Sequence, residues 1–217
     1  MTDLHTLLAP MSETVILGNG AFPEKESVRQ LLRTAKRIIC CDGAVNKIAT
    51  IGITPTVVVG DLDSIAIDQL ERLGAIVHPD KSEEYNDMQK ALKYCMANHI
   101  DNVLLIGFAG LREDHFIANV SIMANYSDRL QMTMVTDHGV FNVIHNTTTL
   151  PSIPGMQVSI FVKNEHLPLT FHRLKYPVEH RCFQHFWEAS LNEALTSDFT
   201  IELHGEGCVV VYRAVER

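Results

Sequence analysis

The stretch VVVGDLDSI, residues 57–65, begins as a β-branched run and ends with two carboxylates one residue apart. The valines predict a buried strand, and Gly60 allows the backbone to turn sharply where that strand ends. In open α/β sheets, ligands bind at the carboxyl ends of the strands. Asp61 and Asp63 are therefore candidate site residues if the rest of the chain forms such a sheet.

Short β-branched runs alternate with helical patterns along the first part of the chain. Strands are predicted at 15–17, 37–41, 56–59, 75–78, 102–106 and 131–136. Apolar residues at positions i, i+3, i+4 and i+7 predict amphipathic helices over 28–35 and 88–95. This alternation is typical of a mostly parallel sheet covered by helices, the α/β class.

The pattern changes near residue 139. Strand-like runs at 157–162, 199–203 and 208–213 are separated by clusters of Pro, Gly and Asn instead of by helices. The region 163–195 has no clear pattern, and within it HFWEASLNEAL, residues 185–195, fits either a short helix or an irregular substrate loop. We therefore predict an N-terminal α/β domain over 1–138, followed by a β-rich domain over 139–217.

Composition excludes several classes of protein. The 217 residues are 46% hydrophobic, which allows a real core, and the formal net charge of -8 argues against a nucleic-acid surface. Five cysteines without a C-x-x-C pair, and the lack of an apolar run long enough to span a bilayer, predict a cytoplasmic protein without a membrane partner. Gly18-Asn19-Gly20 begins like a dinucleotide fingerprint, but Pro23 takes the third glycine position, which argues against a redox site.

Five aspartates fall where the predicted sheet would gather them. Asp42 follows the second strand, Asp61 and Asp63 follow the third, Asp114 follows the fifth, and Asp87 opens a helix. Carboxylates that share a small volume need a cation, and oxygen ligands without His or Cys favour magnesium. We therefore predict a magnesium site that binds phosphates. The plainer alternatives are helix N-caps for Asp42 and Asp87 and a turn at Asp63.

The segment 107–115 combines two glycines with Arg112, Asp114 and His115 at the start of a predicted helix. Backbone N–H groups and a guanidinium in that position suit phosphate recognition. The alternative is a flexible loop in which Arg112 points to solvent.

Four segments resemble those of the thiamine pyrophosphokinase family in order and spacing. Cys41-Asp42-Gly43-Ala44-Val45-Asn46 resembles A-D-G-G-A-N, residues 60–64 resemble G-D-x-D-S, residues 86–92 resemble T-D before a K-A-L helix, and residues 110–119 resemble G-G-R-x-D-H-x-x-A-N. The resemblance implies transfer of a pyrophosphoryl group from ATP to the thiamine hydroxyl, giving thiamine diphosphate and AMP, with Mg²⁺ as cofactor. It also implies a C-terminal β-sandwich that contributes to thiamine binding and to a homodimer.

The resemblance also implies residue roles. The catalytic residues it implies are Asp61, Asp63, Asp87 and Asp114, and the metal ligands are Asp42, Asp61, Asp63, Asp87 and Asp114. The residues implied for ATP binding are Asn46, Gln89, Lys90, Arg112, His115 and Asn119. For thiamine they are Ser190 and Asn192, beside Trp187, whose ring can stack on a cationic thiazolium.

One departure leaves the acceptor open. The family's S-T-S-N-E segment is here Ala189-Ser190-Leu191-Asn192-Glu193, which lacks two of the expected side chains. Three alternatives follow: a pyrophosphokinase for another acceptor such as a pterin alcohol, a magnesium-dependent phosphohydrolase with Asp61 as nucleophile, or a non-catalytic sensor of nucleotide or thiamine diphosphate.

Overall fold

The computed structural model of this chain describes residues 4–8, 12–63, 65 and 76–215. It divides into two compact units, Ser12–Asp137 and Met1–Met11 with His138–Arg217. The functions predicted for the domains 1–138 and 139–217, nucleotide and metal binding in the first and thiamine binding and dimerisation in the second, stay predictions. Ser64 of the G-D-x-D-S motif and Ala75, the first residue of a predicted strand, lie outside the described residues.

The unit Ser12–Asp137 is built on a parallel sheet. Its strands are β1 (Thr14–Leu17), β2 (Arg37–Cys41), β3 (Val57–Gly60), β4 (Ile76–Pro79), β5 (Asn102–Ile106) and β6 (Gln131–Val135). They lie in the order β6-β5-β1-β2-β3-β4, and every neighbouring pair is parallel. Apart from β4, whose residues are mostly exposed, these strands are mostly buried. They therefore read as continuous apolar runs in the sequence. The predicted α/β fold is confirmed.

The described residues of this unit form four helices. They are α2 (Glu26–Thr34), α3 (Ala44–Ala49), α4 (Asp87–Ala97) and α5 (Glu113–Tyr126), numbered after α1 (Leu4–Leu7) of the other unit. The apolar stripes predicted for α2 and α4 are the faces that these helices bury. The N-terminus of α4 is fixed by a capping box, in which Asn86 and Gln89 exchange side-chain and backbone hydrogen bonds.

The other unit contains two antiparallel sheets. Its strands are β7 (Gly139–Ile144), β8 (Thr148–Pro151), β9 (Gln157–Val162), β10 (Leu169–His172), β11 (Asn192–Glu193), β12 (Asp198–Leu203) and β13 (Val209–Ala214). One sheet has the order β11-β9-β13-β7 and the other β10-β12-β8. Side chains such as Ile160, Phe199 and Val211 are fully buried in its core. The predicted β-sandwich is confirmed.

The segment 163–195 forms turns and irregular backbone around β10 and β11, so its irregular interpretation is the right one.

Arg213 of β13 is buried and donates hydrogen bonds to the carbonyls of Leu7 and Pro151 and to the Asn142 side chain. Burial without a carboxylate partner lowers the pKa of Arg213 to about 10. These bonds fix α1 to the unit that contains β13. Among the described residues, no helix combines the length and the hydropathy that a membrane span requires.

Candidate active site

A cavity of about 840 Å³ opens at the carboxyl ends of β1, β3 and β5 and at the start of α4. This is the edge where an open α/β sheet binds its ligands, because the loops after the strands gather there. Seven of the predicted site residues line it: Asp61, Asp63, Asp87, Lys90, Arg112, His115 and Asn119. The cavity therefore presents carboxylates and cationic side chains together.

Asp61 and Asp63 reach this cavity through a turn. The Asp63 N–H donates to Asp61 Oδ1 at 3.2 Å, and Leu62 between them has a φ of 67°. Strand alternation, which would send both side chains of an extended D-x-D segment to one side, therefore does not apply here. A left-handed residue after the strand takes the place of strand alternation.

Asp42 lies next to Gly60, where the sheet ends. Its N–H donates to the Val59 carbonyl at 2.9 Å, and a Cβ at Gly60 would lie 3.0 Å from the Asp42 Cβ. Asp42 is 8% exposed, and its buried Oδ1 atom has no hydrogen-bond partner among the residues that the structure describes. A buried carboxylate oxygen without a partner is costly in the free protein, so Asp42 has spare capacity for a cation or a donor group.

Asp87 is the first residue of α4 and is electrostatically coupled to its neighbours. Burial is the main cause that raises the pKa of this carboxyl, and the charges of Asp42 and Asp61 raise it further. Lys90, one turn along the same helix, opposes the rise. Asp42 and Asp61 therefore lie close enough to Asp87 for their charges to act on it, although the three residues stand on different elements.

The oxygen ligands at the cavity fit a magnesium ion that is bound partly by water and phosphates, and not a metal ion held wholly by protein side chains. Among the residues that the structure describes, no group of three or more His, Cys, Asp or Glu side chains is arranged to hold an ion. Magnesium usually takes one or two carboxylates and completes its shell with water and substrate phosphates. Oxygen ligands around the cavity and the unpartnered Asp42 Oδ1 meet that requirement.

Asp114 is paired with Arg112. Arg112 Nε donates to its Oδ1 at 3.0 Å and Arg112 Nη2 to its Oδ2 at 2.5 Å, and both side chains are exposed. The hydrogen bonds from Arg112 lower the pKa of Asp114 to about 2. Arg112 and His115 line the cavity, whereas Asp114 is not one of its lining residues.

Two residues predicted for ATP binding lie outside the cavity lining. Asn46 is on the exposed face of α3. Gln89 completes the capping box of α4, since its Oε1 accepts from the Asn86 N–H, and its Nε2 donates to the Tyr126 hydroxyl at 3.4 Å. Their roles in nucleotide binding stay predictions.

Part of the cavity wall escaped sequence analysis. The unforeseen lining residues include Asn19, Gly20, Lys81, Tyr85, Asn86 and Phe108. The Gly20 N–H donates to the Gly107 carbonyl at 2.7 Å, and Lys47 Nζ donates to the carbonyls of Asn19 and Gly20. The signal for this loop was the Gly18-Asn19-Gly20 run, whose glycines allow it to pack against the loop after β5.

The residues predicted for thiamine binding stand in the other unit. Trp187 is 66% exposed and stacks on His185, with ring centroids 5.8 Å apart. Ser190 Oγ donates to the Trp187 carbonyl at 2.6 Å. Asn192 is buried and pairs with the backbone of Tyr176, accepting from its N–H at 3.0 Å and donating to its carbonyl at 2.9 Å. The side chains of Ser190 and Asn192 therefore make hydrogen bonds within the protein, whereas that of Trp187 makes none to the residues that the structure describes.

Comparison with known proteins gives matches along nearly the whole chain. Residues 28–136 match the family model described as "Thiamin pyrophosphokinase, catalytic domain", and residues 139–212 match "Thiamin pyrophosphokinase, substrate-binding domain". No curated protein matches the sequence.

Solved structures of similar fold point the same way. Thiamin pyrophosphokinase from Candida albicans has a TM-score of 0.80 at 14% identity, covering 94% of this chain and 89% of that one. A thiamin pyrophosphokinase family protein from Enterococcus faecalis has a TM-score of 0.79 at 16% identity, covering 95% and 100%. The enzyme from Geobacillus thermodenitrificans has a TM-score of 0.75 at 23% identity, covering 94% and 97%. At such identities the likeness shows the fold.

The two family models together span both units and include the Asp42, Asp61, Asp87 and Arg112 segments. The resemblance drawn from the four sequence segments is confirmed. The chain belongs to the thiamin pyrophosphokinase family.

Proposed function

We propose that this protein is an ATP-dependent thiamine pyrophosphokinase. The observation that carries this proposal is the cavity at the strand ends, where Asp61, Asp63 and Asp87 face Lys90 and Arg112. Carboxylates and cations around one cavity suit a polyphosphate that arrives with a divalent ion. Membership of the family supplies thiamine as the acceptor.

In the proposed reaction, the thiamine hydroxyl attacks the β-phosphorus of ATP in line, and AMP leaves. Such transfers depend mostly on positioning and on neutralising charge. Magnesium, when bound, neutralises the phosphate oxygens, and Asp42, Asp61, Asp63 and Asp87 would hold it directly or through water. We include Asp114 as a ligand that becomes available when Arg112 moves from its carboxylate to a phosphate.

The cationic side chains of the cavity bind the phosphates in this proposal. Arg112 offers a planar fork of donors, which matches phosphate oxygens, and Lys90 and His115 add donors nearby. Asp61 or Asp63 accepts the proton that the thiamine hydroxyl loses. Because the carboxylates border the phosphates, one of them can serve as base without a further group.

For thiamine, we assign the direct contact to Trp187, since its exposed ring can stack on a cationic thiazolium. Ser190 and Asn192 are then the residues that shape the loop around it. We further propose a homodimer in the cytoplasm. Exposed apolar side chains in the C-terminal unit, such as Phe186 and Leu191, support the homodimer. The cytoplasm is supported by the five cysteines, none of which forms a disulfide.

The test is to incubate the purified protein with ATP, Mg²⁺ and thiamine and to separate the products by chromatography. We expect AMP and thiamine diphosphate in equal amounts, and neither product when thiamine or Mg²⁺ is omitted. Release of phosphate without an acceptor would indicate a phosphohydrolase, and AMP formation only with a pterin alcohol would indicate another acceptor. Tight nucleotide binding without AMP would indicate a sensor.

A further inference from the structure

Asn119 is a buried amide in the middle of the candidate site. It belongs to α5 and is 7% exposed. Its Nδ2 donates to the Phe108 carbonyl at 3.0 Å, and its Oδ1 accepts from Asn86 Nδ2 at 3.4 Å. Both ends of this amide are therefore used inside the protein.

Asn86 continues the connection to α4. Its Oδ1 accepts from the Gln89 N–H at 2.9 Å, which makes Asn86 the N-cap of the helix that begins at Asp87. The same side chain therefore caps α4 with its oxygen and donates to Asn119 with its nitrogen. A threonine, which the family pattern has at this position, can provide the cap with its hydroxyl oxygen but has no amide nitrogen to donate to Asn119.

The two ends of this chain of amides both line the cavity and belong to different segments of the chain. Phe108 belongs to the loop that continues to Arg112, and Asn86 precedes Asp87. The hydrogen bonds thus connect the segment that carries the cationic side chains to the helix that carries a carboxylate. Since reacting groups must be held within a fraction of an ångström, such a connection bears directly on the rate.

We propose that Asn119 is a positioning residue for pyrophosphoryl transfer, which acts through Phe108 and Asn86 and makes no contact with the nucleotide. The inference rests on the proposed function, because it assigns a role within that same site. It differs from a direct role for Asn119 in one respect. The contribution of Asn119 should disappear when Asn86 no longer donates to it.

A double-mutant cycle tests this difference. Asn119→Ala removes both bonds, whereas Asn86→Thr retains the helix cap and removes only the bond to Asn119. We expect each single variant to lower kcat/KM for ATP by about 10-fold, as a small misplacement of reacting groups does. We expect the double variant to be no worse than Asn119→Ala alone, because both changes break the same connection.

Asn98→Ala is the matched control. Asn98 caps the other end of α4, where its Nδ2 donates to the Tyr94 carbonyl at 2.8 Å. Thermal unfolding identifies conditions of equal stability, under which this variant should retain the wild-type kcat/KM. Equal losses of activity in Asn98→Ala and Asn86→Thr would overturn the inference, because they would trace the effect to helix stability. Wild-type activity in Asn86→Thr, or effects that simply multiply in the double variant, would also overturn it.

Binding of Mg²⁺ with α,β-methylene-ATP, measured by calorimetry, separates this inference from the proposed function. A wild-type protein that binds the analogue but makes no thiamine diphosphate would refute the function. In that case, the double-mutant cycle is evaluated from the affinity for the analogue instead of from kcat/KM. Weaker binding in both single variants, with no further loss in the double variant, supports the connection through Asn86. Unchanged affinity in Asn86→Thr overturns it.

Discussion

The strand ends that carry Asp42 and Asp61 and the loop that carries Asn192 use their polar side chains in opposite ways. In the unit Ser12–Asp137, the buried Asp42 Oδ1 has no hydrogen-bond partner within the described part of the chain, and Asp61 and Asp63 line a cavity. In the C-terminal unit, Asn192 uses both ends of its amide on the backbone of Tyr176. Polar groups with spare capacity indicate where a ligand binds, whereas groups that are fully used support the fold. Asp61 and Asn192 were both predicted as site residues, but we therefore expect different mutant phenotypes for them.

The largest effect is expected at Asp61. Asp61→Asn keeps an oxygen that can accept from the Asp63 N–H but removes the charge. We expect kcat to fall by about 100- to 1,000-fold, the range for loss of one preorganised electrostatic contact, with little change in unfolding free energy. Steady-state kinetics and chemical denaturation measure the two quantities.

Asp80→Asn is the control for that variant. Asp80 makes the same kind of turn, since its Oδ1 accepts from the Ser82 N–H at 3.0 Å, but it does not line the cavity. We expect this variant to keep wild-type turnover. If Asp61→Asn were fully active while correctly folded, the acids of the cavity would have no role in the reaction.

The reverse pattern is expected at Asn192. Asn192→Ala removes the hydrogen bonds to the N–H and to the carbonyl of Tyr176, which should lower the unfolding free energy by about 2 kcal/mol. The matched change Asn164→Ala, at an exposed side chain that accepts from the His166 N–H at 3.0 Å, should cost far less. Urea denaturation compares the two variants. A stable Asn192→Ala protein with a raised KM for thiamine would show that Asn192 contacts the substrate.

Trp187 should behave as a ligand-binding residue, although it belongs to the same unit as Asn192. Its exposure predicts that Trp187→Ala leaves stability unchanged. Loss of a stacking contact worth about 1.4 kcal/mol would raise KM for thiamine about 10-fold. Trp187→Phe, which keeps an aromatic face, should recover most of the affinity. An unchanged KM in Trp187→Ala would remove this residue from the thiamine site.

Sequence reasoning predicted the regular parts of the fold and missed the turns. Buried β-branched runs placed β2 at 37–41 and β5 at 102–106 with the bounds that the structure has. The turn at Leu62 was missed because leucine rarely adopts a positive φ, so no local signal indicates it. The Gly18–Gly20 loop was missed as a cavity wall because its partners lie near residue 107, far away in the chain.

The site residues show the same limit. The order of the strands brought Asp42, Asp61 and Asp87 to one edge, which topology alone could predict. The pairing of Arg112 with Asp114, and the use of Gln89 and Asn192 in hydrogen bonds to the protein itself, depend on side-chain conformations. Motif matching assigns a residue to a site, but it does not tell which of its hydrogen bonds are already taken.

The smallest effect concerns buried thiols. Cys40 of β2 is fully buried, and burial raises its pKa from 9.0 to about 12, whereas Cys182 of the C-terminal unit is exposed. Because the unfolded chain can ionise this thiol above pH 9 and the folded protein cannot until about pH 12, rising pH favours unfolding in that window. Between pH 8 and pH 10, Cys40 should account for about 1 kcal/mol of lost stability. Denaturation at both pH values should show a smaller loss for Cys40→Ala than for the wild type, and the wild-type loss for Cys182→Ala. An identical pH dependence in all three proteins would mean that Cys40 ionises as readily in the folded protein as in the unfolded chain, and that β2 is less protected from solvent than its packing indicates.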